Sequence, residues 1–124
     1  MNLLLVDDDP KNLLALSALL EDLGANIHCV DSGEEALRAV LKHEFAAILL
    51  DVRMPGIDGF ETAAAIRSLE RFRRVPILFL SAQGDRRADG RDPHTEFILK
   101  PVDPAVLRPR VAACLQRVKA EASL

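Results

Sequence analysis

Several features that mark other protein classes are scarce or missing in this chain of 124 residues. Cysteine occurs only at Cys29 and Cys114, with no metal-ligand spacing, so both are expected as small buried apolar residues in a reducing compartment. No apolar run approaches the roughly 18 residues that a membrane span requires. Met1 leads straight into an apolar stretch, which leaves no room for a signal peptide, and the expectation is a cytoplasmic chain with no membrane contact. A basic excess is also lacking. Sixteen Lys and Arg stand against 19 Asp and Glu, a formal net charge of −3, so direct nucleic-acid binding is not expected. There is no internal repeat and no linker-like composition, and residues 1–120 are expected to form one domain followed by a tail at 121–124. What is present is 49% hydrophobic and 28% charged, the composition of a globular domain large enough for a real core.

The centre of the chain is ILLDVRMPGIDG, from Ile48 to Gly59. An apolar run stops at Asp51, and Met54, Pro55 and Gly56 then turn the backbone, which suits a strand buried on both faces with a carboxylate at its carboxyl end. The same form recurs along the chain. Strands are expected at Asn2–Val6, Ile27–Val30, Ala46–Leu50, Ile77–Leu80 and Phe97–Leu99. Asp9 and Pro10 open a helix running to about Leu23, with Gly24 as its stop. Ser32 and Glu35 have capping-box spacing before a helix that buries Ala36, Leu37, Val40 and Leu41. Asp58 and Glu61 start another, buried through Phe60, Ala63, Ala64 and Ile66. Asp103 and Pro104 cap a last helix to about Lys119, buried through Val106, Leu107, Val111, Cys114, Leu115 and Val118. Alternation of strands and helices predicts an α/β fold, a doubly wound parallel sheet.

One span departs from this pattern. Residues 82–96, AQGDRRADGRDPHTE, hold no large aliphatic side chain, and Gly84, Gly90 and Pro93 oppose a helix. A loop with at most one helical turn is expected there, and loops of about 15 residues are often functional.

Parallel strands point their carboxyl ends the same way, so Asp7, Asp8, Asp51, Ser81 and Lys100 are expected to converge at one edge of the sheet. Taken singly, each has an ordinary explanation: a solvated helix-start cluster, a turn carboxylate, a loop hydroxyl, a surface lysine. Together they put three carboxylates, a hydroxyl and a lysine at four strand ends in regular order. Crowded carboxylates raise a pKa unless a cation joins them, and an all-oxygen set suits a hard ion such as Mg²⁺. With Lys100 and Ser81 beside it, the group suits a small tetrahedral anion, and Asp51 is the candidate nucleophile for phosphoryl transfer.

In LLLVDDDP, LLDVRMPGIDG, FLSA and FILKPVDP the chain resembles the receiver domains of two-component response regulators, over nearly its whole length. The resemblance implies a flavodoxin-like five-stranded sheet in the order 2-1-3-4-5, here with its fourth helix short or absent, since that helix would occupy residues 82–96. It implies that Asp51 accepts a phosphoryl group from a histidine kinase or a phosphotransfer-domain histidine. Mg²⁺, or Mn²⁺, would be held by Asp8 directly, Asp7 through water, Asp51 and the backbone carbonyl of Arg53. Ser81 corresponds to the switch hydroxyl, Lys100 to the phosphate lysine and Phe97 to the switch aromatic, here without a hydroxyl. Arg53 and Gln83 correspond to the two positions that tune attack by water.

On this reading the chain is a regulatory phospho-acceptor with self-catalysed uptake and slow hydrolysis, not a turnover enzyme. It would stand alone or be a piece of a hybrid histidine kinase. With the fourth helix eroded, part of a sheet face would need cover, and a homodimer through the strand 4, strand 5 and last-helix face is one such cover. Alternatives from other classes fit less well. An aspartyl phosphohydrolase would want a second carboxylate where Arg53 stands, and a flavin carrier would want a phosphate-cradling loop where Asp7–Asp9 repel phosphate. A degenerate receiver that only binds partners would be expected to lack one of the acidic, hydroxyl or lysine groups, and all are present.

Overall fold

The three central apolar runs become strands because both of their faces find a hydrophobic partner. In the computed structural model, which describes residues 1–82, 85 and 92–122, the strands are β1 (Asn2–Val6), β2 (Asn26–Val30), β3 (Ala47–Asp51), β4 (Ile77–Ser81) and β5 (Thr95–Leu99). They form one parallel sheet in the order β2-β1-β3-β4-β5. The helices are α1 (Pro10–Leu20), α2 (Gly33–Lys42), α3 (Gly59–Arg67) and α4 (Pro104–Ala122).

Side chains alternate across the pleat and sort the core into two layers. Leu3, Leu5, Leu49, Leu78, Leu80 and Ile98 face α1 and α4, where they meet Leu13, Leu16, Leu20, Leu107, Val111 and Leu115. Leu4, Val6, Ile48, Leu50, Ile77 and Phe79 face α2 and α3, where they meet Ala36, Val40, Ala63 and Ile66. Each fully buried Leu or Ile is worth about 2 kcal/mol of transfer free energy, so both layers contribute comparably.

Polar side chains close the helix starts. Asp9 accepts from the Lys11 amide at 2.9 Å with Pro10 in the first turn. Ser32 accepts from the Glu35 amide at 3.1 Å. Asp58 and Glu61 make the full reciprocal box, at 2.8 and 3.0 Å. Asp103 accepts from the Ala105 amide at 2.9 Å.

Several expected boundaries move. α1 ends at Leu20, and a 3-10 turn, Glu21–Leu23, leads to Gly24 at φ 89°. β3 takes in Asp51 and gives up Ala46. β5 begins at Thr95, because Thr95 and Glu96 pair with Ile77 and Leu78. An edge strand can pair through its backbone while its side chains stay polar, so hydropathy carries no sign of that start. Arg67 anchors this corner. Its guanidinium donates to the carbonyls of Phe72 and Val75, at 2.7 and 2.5 Å, and of His94 at 3.0 Å, and its Nε lies 2.8 Å from the Asp92 carboxylate. Of residues 82–96, the described ones are not helical, and 83, 84 and 86–91 lie outside the described residues.

Some expected burials also fail. Cys29 is exposed, because β2 is an edge strand, and its Sγ lies 3.2 Å from Ser17 Oγ. Leu41 and Val106 are 65% and 41% exposed on the outer sides of their helices, and Ala64 is exposed while Thr62 is buried in its stead. Thr62 satisfies its hydroxyl by donating to the Asp58 carbonyl at 2.7 Å. No helix among the described residues is long and apolar enough to cross a membrane.

Gly59 ties the fold to the sheet's carboxyl edge. Its amide donates to the Val52 carbonyl at 2.8 Å, and a Cβ at this position would lie 2.3 Å from the Asp51 carbonyl oxygen and 2.8 Å from Val52 Cα. Both obstacles are backbone, so α3 and the end of β3 must move apart. Gly59→Ala is expected to cost about 1–3 kcal/mol, the range for overpacking, read as a lowered urea midpoint. A midpoint equal to that of the native chain would contradict this close approach.

Candidate functional site

Of the four buried polar side chains among the described residues, Asp7, Asp51 and Ser81 lie at the carboxyl edge of the sheet. Asp7 follows β1 and is 1% exposed, Asp51 ends β3 at 4%, and Ser81 ends β4 at 2%. Asp8 is exposed beside them. Strands β1 and β3 are hydrogen-bonded neighbours, so the acidic pair and Asp51 come from adjacent strand ends. One carboxylate oxygen from each of Asp7, Asp8 and Asp51 lies within 4.8 Å of the others.

Backbone bonds hold these ends in place. The Asp7 amide donates to the Val30 carbonyl and the Val52 amide to the Leu80 carbonyl, both at 3.2 Å. The Lys100 amide donates to the Ser81 carbonyl at 2.8 Å, which fixes the start of the lysine side chain against β4. From there Lys100 Nζ donates to Asp51 Oδ1 at 2.7 Å. The Arg53 amide also points at Oδ1, at 3.4 Å. Among the described residues both donors therefore meet the same oxygen of Asp51, and Oδ2 is left for other chemistry.

Burial pushes the Asp7 carboxyl above the usual range. The charge of Asp51 adds to that rise, while the Asp9 amide, the Asn12 side chain and Lys100 pull the other way. The Asp9 amide bond to Asp7 Oδ1 measures 2.9 Å. A carboxylate that stays costly to ionise despite three opposing partners is one that an added cation would relieve. The donor set is all oxygen, partly buried on one side and open at Asp8, so it fits a hard divalent ion that keeps some of its waters.

Phe97 is half-buried, with its ring stacked on Phe79 at 5.3 Å and 6.4 Å from Phe60. The apolar ring is thus turned onto the β4 side chains. Arg53 reaches away from Asp51, and its Nε donates to Asp85 Oδ1 at 2.9 Å. Gln83 lies outside the described residues. Two residues at this edge escape sequence reading. Asn12 looks like an ordinary residue in the first turn of a helix. Asp85 is one of several charges in a polar run, with no pattern to single it out, and only the folded chain pairs it with Arg53.

Comparison with known proteins gives a consistent result. The family model described as response regulator receiver domain matches residues 3–112. A sensor histidine kinase, GacS of Pseudomonas protegens, is 39% identical over 105 residues, which are 80% of this chain and 12% of that protein. The chain therefore spans only about an eighth of that kinase. A 14.6 kDa protein in the sodA1 3′ region of Leptolyngbya boryana is 38% identical over 111 residues, 86% of this chain and 84% of that protein. Among solved structures, the receiver domain of sensor histidine kinase PA1611 from Pseudomonas aeruginosa PAO1, with magnesium coordinated in its active-site cleft, superposes with a TM-score of 0.79 at 36% identity. That match covers 90% of this chain and 93% of the other.

The raised Asp7 pKa has a consequence for stability. The folded chain favours the protonated form, so stability linked to this group is fullest below the unfolded value of 3.8 and is lost as pH rises through the raised folded value. Asp7→Asn keeps an acceptor for the Asp9 amide and removes the charge. In chelator-treated buffer at pH 7 its urea midpoint is expected above that of the native chain, and the advantage should shrink as pH falls toward 4. A midpoint at or below the native value at pH 7 would contradict the assignment of Asp7 as a strained carboxylate.

Proposed function

Because this chain belongs to the response regulator receiver domain family, we propose that it is a phospho-accepting signalling module with Asp51 as the acceptor. The observation that carries this reading is the Asp51 carboxylate itself. It is buried, held through one oxygen by Lys100 at 2.7 Å, and grouped with Asp7 and Asp8 within 4.8 Å.

Asp51 Oδ2 attacks the phosphorus of a phosphohistidine on a histidine kinase or phosphotransfer domain. The oxygen–phosphorus bond forms as the phosphorus–nitrogen bond breaks, and the electron pair leaves with the imidazole, which takes up a proton. Lys100 holds Oδ1 still and lies within reach of the incoming phosphoryl oxygens, whose charge it offsets. Asp7, Asp8, Asp51 and the Arg53 carbonyl are the residues that would hold Mg²⁺, or Mn²⁺, which when bound supplies positive charge to the same oxygens. Ser81, buried at the end of the neighbouring strand, can turn its hydroxyl to donate to the phosphoryl group. Phe97 can repack as the turn after β4 follows Ser81, so that a two-state surface shifts toward its active form.

The module is regulatory: it takes up one phosphoryl group and loses it slowly to water. Relatives exist both as a small part of a kinase and as a protein of nearly this length, so the donor acts on it either within a hybrid kinase or from a separate protein. Residues 1–120 make up the receiver unit in this proposal, and the compartment is the cytoplasm, where phosphohistidine donors of this kind operate. The β4, β5 and α4 side, with Leu99 60% and Val106 41% exposed, is the surface offered to a second copy.

The test is intact mass after incubation with acetyl phosphate, with and without Mg²⁺. The native chain is expected to gain a single phosphoryl adduct that depends on Mg²⁺, and Asp51→Asn is expected to gain none. An unmodified native chain under all conditions would leave a receiver that only binds partners. Retention of the adduct in Asp51→Asn would move the acceptor elsewhere.

A further inference from the structure

The turn that leaves β4 holds a carboxylate for which the proposed chemistry has no use. Asp85 returns to the strand end it came from: its amide donates to the Ala82 carbonyl at 3.2 Å, and its Oδ2 accepts from the Ala82 amide at 2.9 Å. Its Oδ1 accepts from Arg53 through both Nε, at 2.9 Å, and Nη2, at 2.5 Å. The Asp85 side chain is only 5% exposed, whereas that of Arg53 is 77% exposed and drapes over it.

The identity of these two donors matters more than the strength of the pair, since an ion pair with one exposed partner adds little stability. The Ala82 amide directly follows Ser81, and Arg53 is two residues beyond Asp51 with its own amide aimed at Asp51 Oδ1. Both donors thus belong to the rim of the Asp51 site, and both serve Asp85: Ala82 from the same segment after β4, Arg53 from the segment after β3. Arg53 holds the Asp85 carboxyl below the ordinary range, and the field of Lys100 acts on Asp85 in the same direction. Asp85 therefore stays an anion, within reach of the charges that a phosphoryl group on Asp51 would call upon.

We propose that Asp85 is an internal anionic competitor: in the resting chain it occupies the Arg53 guanidinium and the Ala82 amide, and phosphorylation of Asp51 draws both donors from Asp85 to the phosphoryl oxygens. This inference rests on Asp51 being the phospho-acceptor. The phosphoryl group carries more charge than a carboxylate and offers three acceptor oxygens, so it can outbid Asp85 for a forked guanidinium. Asp85 acts here through Arg53 and is a positioning residue.

The experiment compares the native chain with Asp85→Asn, Arg53→Ala and the double variant, following the phosphoryl adduct formed from acetyl phosphate and Mg²⁺ by intact mass. Asp85→Asn keeps an acceptor for the Ala82 amide and removes the competing charge together with the oxygen that accepts from Arg53. It is expected to take up phosphate about tenfold faster than the native chain. That gain should vanish in the Arg53→Ala background, as a double-mutant cycle requires when one residue acts through the other. In the native chain, the ¹⁵N-coupled signals of Arg53 Nε–H and the Ala82 amide should move as the adduct forms. A native rate for Asp85→Asn, an equal gain with and without Arg53, or immobile Arg53 and Ala82 signals would overturn the competitor role. No adduct in any of the four chains would instead overturn the phospho-acceptor reading on which it depends.

Discussion

Three carboxylates crowded at the ends of two neighbouring strands are the constraint around which this molecule is arranged. Two full charges 4.8 Å apart repel by about 3 kcal/mol at an effective dielectric near 20. Burial of Asp7 and Asp51 adds a desolvation cost to that repulsion. Much of the surrounding detail works against this cost. Lys100 crosses β4 to reach Asp51, the Asp9 amide and Asn12 attend Asp7, and Asp8 stays in solvent. The balance is incomplete, since Asp7 remains hard to ionise. A site left in that condition is poised for a divalent cation, which is how the proposed phosphoryl chemistry would make use of it.

The sheet supplies the precision. Parallel register sets Asp51 opposite Leu80 and Ser81 opposite Leu99, so the acceptor, the hydroxyl and the strand that launches Lys100 are fixed relative to one another by main-chain bonds. Two apolar layers clamp the sheet from both sides, and Gly59 lets α3 start in contact with the Asp51 carbonyl. Phe97, half-buried, stacks on Phe79 at the outer side of this framework, and Asp85 closes back on the Ala82 amide beside Ser81.

The Arg53–Asp85 pair gives an arginine near Asp51 a definite resting place. From the sequence, Arg53 could equally screen water or hold a phosphoryl group. In the folded chain a carboxylate from the segment after β4 engages its guanidinium. If that carboxylate competes as proposed, the resting and phosphorylated states differ in which anion holds the guanidinium, and the fold needs no large rearrangement to distinguish them.

The strands, the helix caps at Asp9, Ser32, Asp58 and Asp103, and the convergence of Asp7, Asp8, Asp51, Ser81 and Lys100 were legible in the sequence. All follow from local rules: short apolar runs bounded by turn residues, side-chain oxygens two or three residues before the amide they accept from, and the common direction of parallel strand ends. The start of β5 at Thr95, the exposure of Cys29, Leu41 and Val106, and the anchoring of the Asp92 corner by Arg67 were not. Edge position and partner choice depend on what lies across space, and neither leaves a periodic trace in the chain. The same holds for Asp85, which is one charge among several until tertiary structure sets it against Arg53. The sequence by itself determined which chemical groups would gather at the sheet edge, because alternation and strand direction are properties of order along the chain. Only the tertiary structure decided which oxygen of Asp51 is held, which carboxylate is strained and which one captures Arg53, because those depend on distances between residues 30 to 50 positions apart.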